Sequence, residues 1–173
     1  MNAVLQAKNL SKIYGRGESE VRALNRCDLT FEEGGFTAIV GRSGSGKTTL
    51  LHLLGGLDMP TTGTVLLEGR DIYALSDKQR TILRRRRIGF VFQFYNLVPE
   101  LTAWQNIVLP LNLDGRSGGE VLELLHLSRR RFGQTLVLVT HDLRIAEGAD
   151  RVLTLEDGLV AADSTSDSEV SPV

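Results

Sequence analysis

The segment Gly41-Arg-Ser-Gly-Ser-Gly-Lys47-Thr48 constrains this chain more than any other stretch. Its three glycines let the backbone curl until successive N–H groups converge on one point, a conformation closed to most L residues. The segment follows the apolar run Phe36–Val40 and leads into Lys47–Leu54, whose apolar spacing is helical. A strand, a glycine turn and a helix N-terminus in that order form a cradle for phosphate. The helix end contributes partial positive charge, Lys47 a full charge, and the Thr48 hydroxyl suits magnesium. The pattern G-x-x-x-x-G-K-[ST] thus predicts that Gly41, Ser43, Gly44, Ser45, Gly46, Lys47, Thr48 and Thr49 surround the phosphates of a nucleotide. The bland alternative is a glycine-rich turn with an exposed lysine, and the flanking strand and helix argue against it. Alone, the motif says only nucleoside triphosphatase or kinase.

Further short apolar runs occur at Thr64–Leu67, Ile88–Phe92, Thr135–Val139 and Arg151–Leu155, and read as buried strands. Helical patterns lie at Asp77–Arg86, Glu120–Arg131 and Leu143–Glu147. Alternation of the two predicts an α/β domain with a mostly parallel sheet. The first thirty-odd residues differ: Leu5–Leu10 and Val21–Phe31 resemble antiparallel strands joined across Gly15–Gly17. The expected organisation is one domain over residues 1–162 and a disordered Ser/Asp-rich tail over 163–173.

Charge and cysteine content narrow the class. Lys plus Arg total 20 against 21 Asp plus Glu, a net charge of -1, so nucleic acid is not an expected partner. The single cysteine, Cys27, excludes an internal disulfide, fits a reducing compartment and reads as a small core residue. No signal-like or membrane-spanning apolar run is present, which predicts a cytoplasmic protein. The run Arg84–Arg87 reads as a solvated helix end, since cations favour a helix C-terminus. His52 and His126 lack metal-ligand spacing.

Motifs elsewhere supply context. Tyr14 lies in Ser-Lys-Ile-Tyr-Gly, Gln93 ends Phe-Val-Phe-Gln, and His141 follows Val-Thr at a strand end. With the phosphate loop and the segment from Ala149 to Gly158, these resemble ATP-binding subunits of ABC transporters, of the macrolide-exporter and lipoprotein-release type, over residues 3–162. The resemblance implies a RecA-like P-loop NTPase core with ATP and Mg2+ as cofactors. It implies Tyr14 stacked on adenine, Gln93 as the Q-loop glutamine beside magnesium and the attacking water, and His141 as the switch histidine. Thr48 and Gln93 would hold the magnesium. Partners implied are a membrane-embedded permease and a dimer mate, either a second copy or a complete ATPase subunit, with the chain peripheral on the inner face of the membrane.

The resemblance also exposes a departure. Relatives carry a helical subdomain, an LSGGQ-type signature and a Walker B strand ending in Asp-Glu between the Q-loop and the switch histidine. Here Gln93 and His141 are only 48 positions apart, with no apolar run ending in Asp-Glu between them. Ser117-Gly-Gly-Glu120 imitates the signature but lacks the preceding leucine, and it fits a helix capping box. Asn112-Leu113-Asp114 looks like the D-loop, 27 positions before His141, close to the spacing such proteins show. The chain therefore reads as spliced near Leu111–Asn112, without signature, Walker B or general base, and with the helical subdomain largely absent. Ile88–Phe92 is then expected to pair directly with Thr135–Val139. Slow or absent hydrolysis follows, with a non-catalytic nucleotide-binding or regulatory module, or a non-functional remnant, as the alternative. A small P-loop kinase fits less well, because the Q-loop and switch-histidine contexts are not expected there.

Overall fold

A computed structural model describes residues 2–89, 123, 126, 127, 129–140 and 146–165. Strand β1 (Ala3–Tyr14) and β2 (Val21–Glu32) form a long antiparallel pair, joined by a 3-10 turn at Gly17–Ser19. Next come β3 (Phe36–Val40), α1 (Lys47–Leu54), β4 (Thr62–Leu67), β5 (Arg70–Asp71) and α2 (Asp77–Arg87). After residue 129 follow β6 (Leu136–Val139), β7 (Arg151–Glu156) and β8 (Leu159–Thr165). Among the described residues two four-stranded sheets result, ordered β2-β1-β4-β5 and β6-β3-β7-β8. The α/β class is as expected, with the parallel character concentrated in the second sheet, where β3 pairs in parallel with both β6 and β7.

The second sheet buries both faces, and strand alternation assigns the faces. Phe36, Ala38, Leu136, Leu138 and Val152 pack with Ala146 and Ala149 on one side. Ile39, Val137, Val139, Leu153 and Leu155 point the other way, into the main core. There they meet Leu50, Leu53 and Leu54 of α1, and Leu24, Cys27, Leu29 and Phe31 of β2. Cys27 is buried core, as its sequence context suggested.

The first sheet departs from simple alternation. Leu24 and Cys27 both face inward although three positions apart, and so do Ala7 and Leu10. Bulges explain this: Arg26 and Asn9 take φ of 50° and 48°, and register shifts fall at both places. Side chains catch the displaced N–H groups, Arg26 donating to Ser11 Oγ at 2.9 Å and Asn9 to Asp28 Oδ1 at 2.8 Å.

Several expectations shift. Thr64–Leu67 belongs to the antiparallel sheet, paired with β1, because Gly63 at φ 82° lets β4 lie against the Asn9 bulge. The tail expected from Asp163 overlaps β8, which continues to Thr165, and 166–173 lie outside the described residues. Asp157 and Gly158, at φ 48° and 77°, form the two-residue turn that folds β8 back on β7. Asp163 then receives a two-pronged hydrogen bond from Arg151 at 2.7 and 2.6 Å. Helix α2 ends at Arg84–Arg87 as expected, and a Ser76–Gln79 capping box opens it. Ile88 is extended but outside any strand, and 90–92 lie outside the described residues, as does the proposed pairing with Thr135–Val139.

Gly158 and Gly69 have nearly the same backbone, φ 77° and 75°, but a Cβ on Gly158 would lie 2.8 Å from Ala23 O, whereas one on Gly69 meets nothing within 4 Å. Gly69→Ala should cost about 1 kcal/mol for its left-handed backbone, and Gly158→Ala at least about 1 kcal/mol more for the clash. Urea denaturation of the two variants checks this, and equal losses would contradict it.

Candidate functional site

The predicted phosphate loop joins β3 to α1. Gly41, Gly44 and Gly46 have φ of 145°, 81° and 98°. Two of these glycines are also demanded by packing: a Cβ on Gly41 would lie 2.2 Å from Leu155 O, and one on Gly46 2.3 Å from Ala23 O. The third differs. A Cβ on Gly44 would meet nothing within 4 Å, so the loop is gripped at both ends and open at its tip. Ser45 is buried, and its carbonyl accepts the Gly158 N–H at 3.2 Å, tying the loop to the β7–β8 turn.

Gly46 caps α1, and its carbonyl accepts the Leu50 N–H at 2.8 Å. The N-terminus of α1 therefore opens directly from the loop. Lys47 Nζ donates to Gly41 O at 2.9 Å, Arg42 O at 2.6 Å and Ser45 Oγ at 3.3 Å. Its ammonium is thus held across the mouth of the loop, and burial draws its pKa below the usual lysine range. Thr48 is exposed on the first turn and Thr49 half-buried beside it. Ser43, at the tip, is exposed as well. Loop amides, one ammonium and an exposed hydroxyl form a donor set that suits a polyphosphate with its magnesium.

Tyr14 stands beside this loop, at the end of β1. The Thr49 hydroxyl interacts with the phenol, and the phenol donates to Asp58 Oδ2 at 2.9 Å. Desolvation and the adjacent Asp58 raise the Tyr14 pKa, outweighing the opposing pull of Thr49 and Lys12. Lys12 Nζ lies 4.8 Å from the ring centroid and bonds Asp58 Oδ1 at 2.8 Å and Met59 O at 2.7 Å. Asp58 is partly buried, which opposes ionisation, yet hydrogen bonds from Lys12, Tyr14 and the Met59 N–H hold its pKa below the usual carboxylate range.

Lys12 and Asp58 were not singled out from sequence. Strand periodicity could have placed Lys12 on the face of Tyr14, two residues on. For Asp58, 44 positions away from Tyr14, no local signal exists. Gln93, His141 and the Asn112–Leu113–Asp114 segment lie outside the described residues. Among the described residues there is no cluster of three metal-ligating side chains, and no helix long and apolar enough to cross a membrane.

A sequence profile described as ABC transporter matches residues 24–163 of this chain. The chain belongs to the ABC transporter family. The lipoprotein-releasing system ATP-binding protein LolD of Shewanella frigidimarina is 33% identical over 220 residues, covering 91% of this chain and 92% of that protein. The macrolide export ATP-binding/permease protein MacB of Bdellovibrio bacteriovorus is 31% identical, over 92% of this chain but 34% of its own length. Among solved structures, the dimeric ATP-binding cassette MJ0796 bound to ADP and Pi superimposes with a TM-score of 0.77 at 30% identity, covering 93% of this chain and 98% of that one.

A carboxyl whose folded pKa is depressed stabilises the fold above its unfolded pKa and loses that contribution as pH falls. Asp58→Asn should therefore be less stable than the parent chain at pH 7, with the difference shrinking below about pH 4. Urea denaturation at the two pH values reads this out. A gap that stays constant would show that the Asp58 charge contributes nothing.

Proposed function

We propose that this chain is the ATP-binding subunit of an ABC transporter of the exporter or lipoprotein-release type, able to bind Mg-ATP but slow to hydrolyse it. The observation that carries the binding half is the loop itself, clamped at Gly41 and Gly46, open at Gly44 and crossed by the Lys47 ammonium. In this reading the N–H groups of residues 43–49 face the phosphates, and Lys47 exchanges its carbonyl partners for phosphate oxygens. Thr48, with Gln93, holds magnesium, which when bound offsets phosphate charge. Tyr14 carries the adenine, and His141 senses the terminal phosphate.

The slow-turnover half rests on composition and length. The alignment with LolD extends over 220 residues, more than the 173 of this chain, so the relative has residues with no counterpart here. Between Gln93 and His141 no apolar run ends in Asp-Glu, and the carboxylates that would activate water have no evident replacement. Strand β6, which ends just before His141, pairs on one side with β3 and has no partner on its other edge among the described residues. That edge is where the resemblance puts the Walker B strand, and direct pairing of Ile88–Phe92 with it is the arrangement we propose instead.

The partners in this reading are a membrane-embedded permease at the inner face of the membrane, and a dimer mate that is a second copy or a complete ATPase subunit. MJ0796 is described as dimeric, and the MacB relative carries its permease in the same chain, which supports both expectations. Asn112–Leu113–Asp114 would lie toward the dimer mate as the D-loop.

Purified protein should bind Mg-ATP, Lys47→Ala should weaken that binding by roughly tenfold or more, and phosphate release should stay near background. Equilibrium binding with a fluorescent ATP analogue and a phosphate-release assay measure the two. Turnover abolished by Lys47→Ala would refute slow hydrolysis, and ATP binding indifferent to Lys47 would refute the site.

A further inference from the structure

We infer that Asp58 and Lys12 are positioning residues that hold the Tyr14 ring in the orientation a purine base needs, so that the base platform is assembled from the end of β1 and the segment that follows α1. The inference rests on the reading of Tyr14 as the base platform and extends it to two residues that would not touch the nucleotide.

Tyr14 is the last residue of β1, and 41% of its surface is exposed. A side chain at a strand end has its neighbours on one side only, and free rotation about χ1 would let the ring sweep away from the loop. Three contacts oppose that. The phenol is tethered to Asp58 Oδ2 at 2.9 Å, the Thr49 hydroxyl meets it, and the Lys12 ammonium covers one face of the ring at 4.8 Å. Lys12 does not drift either, being bonded to Asp58 Oδ1 at 2.8 Å and to Met59 O at 2.7 Å. One carboxylate therefore serves both groups, one oxygen each.

Asp58 is itself anchored at its side chain and at its backbone. Its Oδ1 accepts the Met59 N–H at 2.7 Å, and its carbonyl accepts from the Tyr73 phenol at 2.9 Å. Tyr73 also reaches Leu53 O, in the last turn of α1, at 2.6 Å. The segment after α1 is thereby fixed to the helix that starts in the phosphate loop. The distance between ring and loop is set by α1, the tether and Lys12 together.

Two consequences follow. With one ring face covered by the ammonium, only the opposite face is left to stack on a base. With the phenol committed to Asp58, the ring grips by its π-face and not by reading the base edge, the sequence-tolerant mode of aromatic stacking. Fixing the ring before the ligand arrives removes the cost of ordering it on binding.

The test compares affinity for ATP with affinity for tripolyphosphate, which uses the loop but has no base. Variants are Asp58→Asn, Lys12→Met and Tyr14→Ala. Tyr14→Ala should weaken ATP by roughly fivefold or more and leave tripolyphosphate unchanged, since stacking acts on the base alone. Asp58→Asn and Lys12→Met should each weaken ATP by roughly threefold to tenfold, again sparing tripolyphosphate, and Asp58→Asn should add nothing in a Tyr14→Ala background. An Asp58→Asn chain that loses both ligands equally would show a purely structural role and overturn the inference, as would unchanged ATP affinity. If Tyr14→Ala itself leaves the ATP-to-tripolyphosphate ratio intact, the platform reading of Tyr14 fails instead. If Tyr14→Ala shifts the ratio and the other two variants do not, only the positioning inference fails.

Discussion

The fold depends on how closely two carbonyl groups approach three glycines. Gly41 lies against Leu155 O, and both Gly46 and Gly158 lie against Ala23 O, at distances where a Cβ has no room. Gly158 adds hydrogen bonds in both directions. Its N–H reaches Ser45 O in the loop, and its carbonyl accepts from Asn25 N–H at 2.9 Å and from Cys27 Sγ at 3.5 Å in β2. The loop, the parallel sheet and the antiparallel sheet therefore meet at one backbone junction. Side chains alone would keep these layers farther apart, because packed sheets normally stand about 10 Å from each other.

This junction explains why the phosphate loop is shaped before any ligand reaches it. Its curl follows from left-handed glycines, and its position follows from β2 on one side and the β7–β8 turn on the other. The main core reinforces the arrangement, since Leu50 and Leu53 of α1 pack with Leu24, Leu153 and Leu155 from both sheets. A second anchor acts at the far end of α1, where Tyr73 and Asp58 secure the chain and carry the geometry outward to Tyr14. Both ends of one eight-residue helix are thus tied to parts of the site.

Features set by near neighbours were legible in the sequence. Helix α1 matches its expected span Lys47–Leu54, and β3 matches Phe36–Val40, because both follow from apolar spacing and flanking glycines. The arginine run at the end of α2 likewise follows from local electrostatics. Features that depend on distant partners were not legible. The Ser/Asp-rich composition after Ala162 suggested disorder, yet Asp163 is held in β8 by Arg151 across the hairpin. The Asp157-Gly158 pair was the available signal for that hairpin, because both residues suit a left-handed turn. The bulges at Asn9 and Arg26 hid the inward faces of β1 and β2 from a strict two-residue period. Asp58 joins Lys12 and Tyr14 from more than forty positions away and leaves no local trace.

By itself the sequence determined the chemistry of the phosphate loop. Glycine spacing, a lysine and a helix start are local properties, and steric limits on φ and ψ leave little else for such a segment to do. It also fixed the 48-position interval between Gln93 and His141, which no packing can alter. Only the tertiary structure decided which sheet β4 joins, where the chain stays ordered after Ala162, and what holds Tyr14 beside the loop. Those outcomes hinge on a carboxylate, a carbonyl or a strand edge brought near from far along the chain, and proximity of that kind exists only once the core has formed.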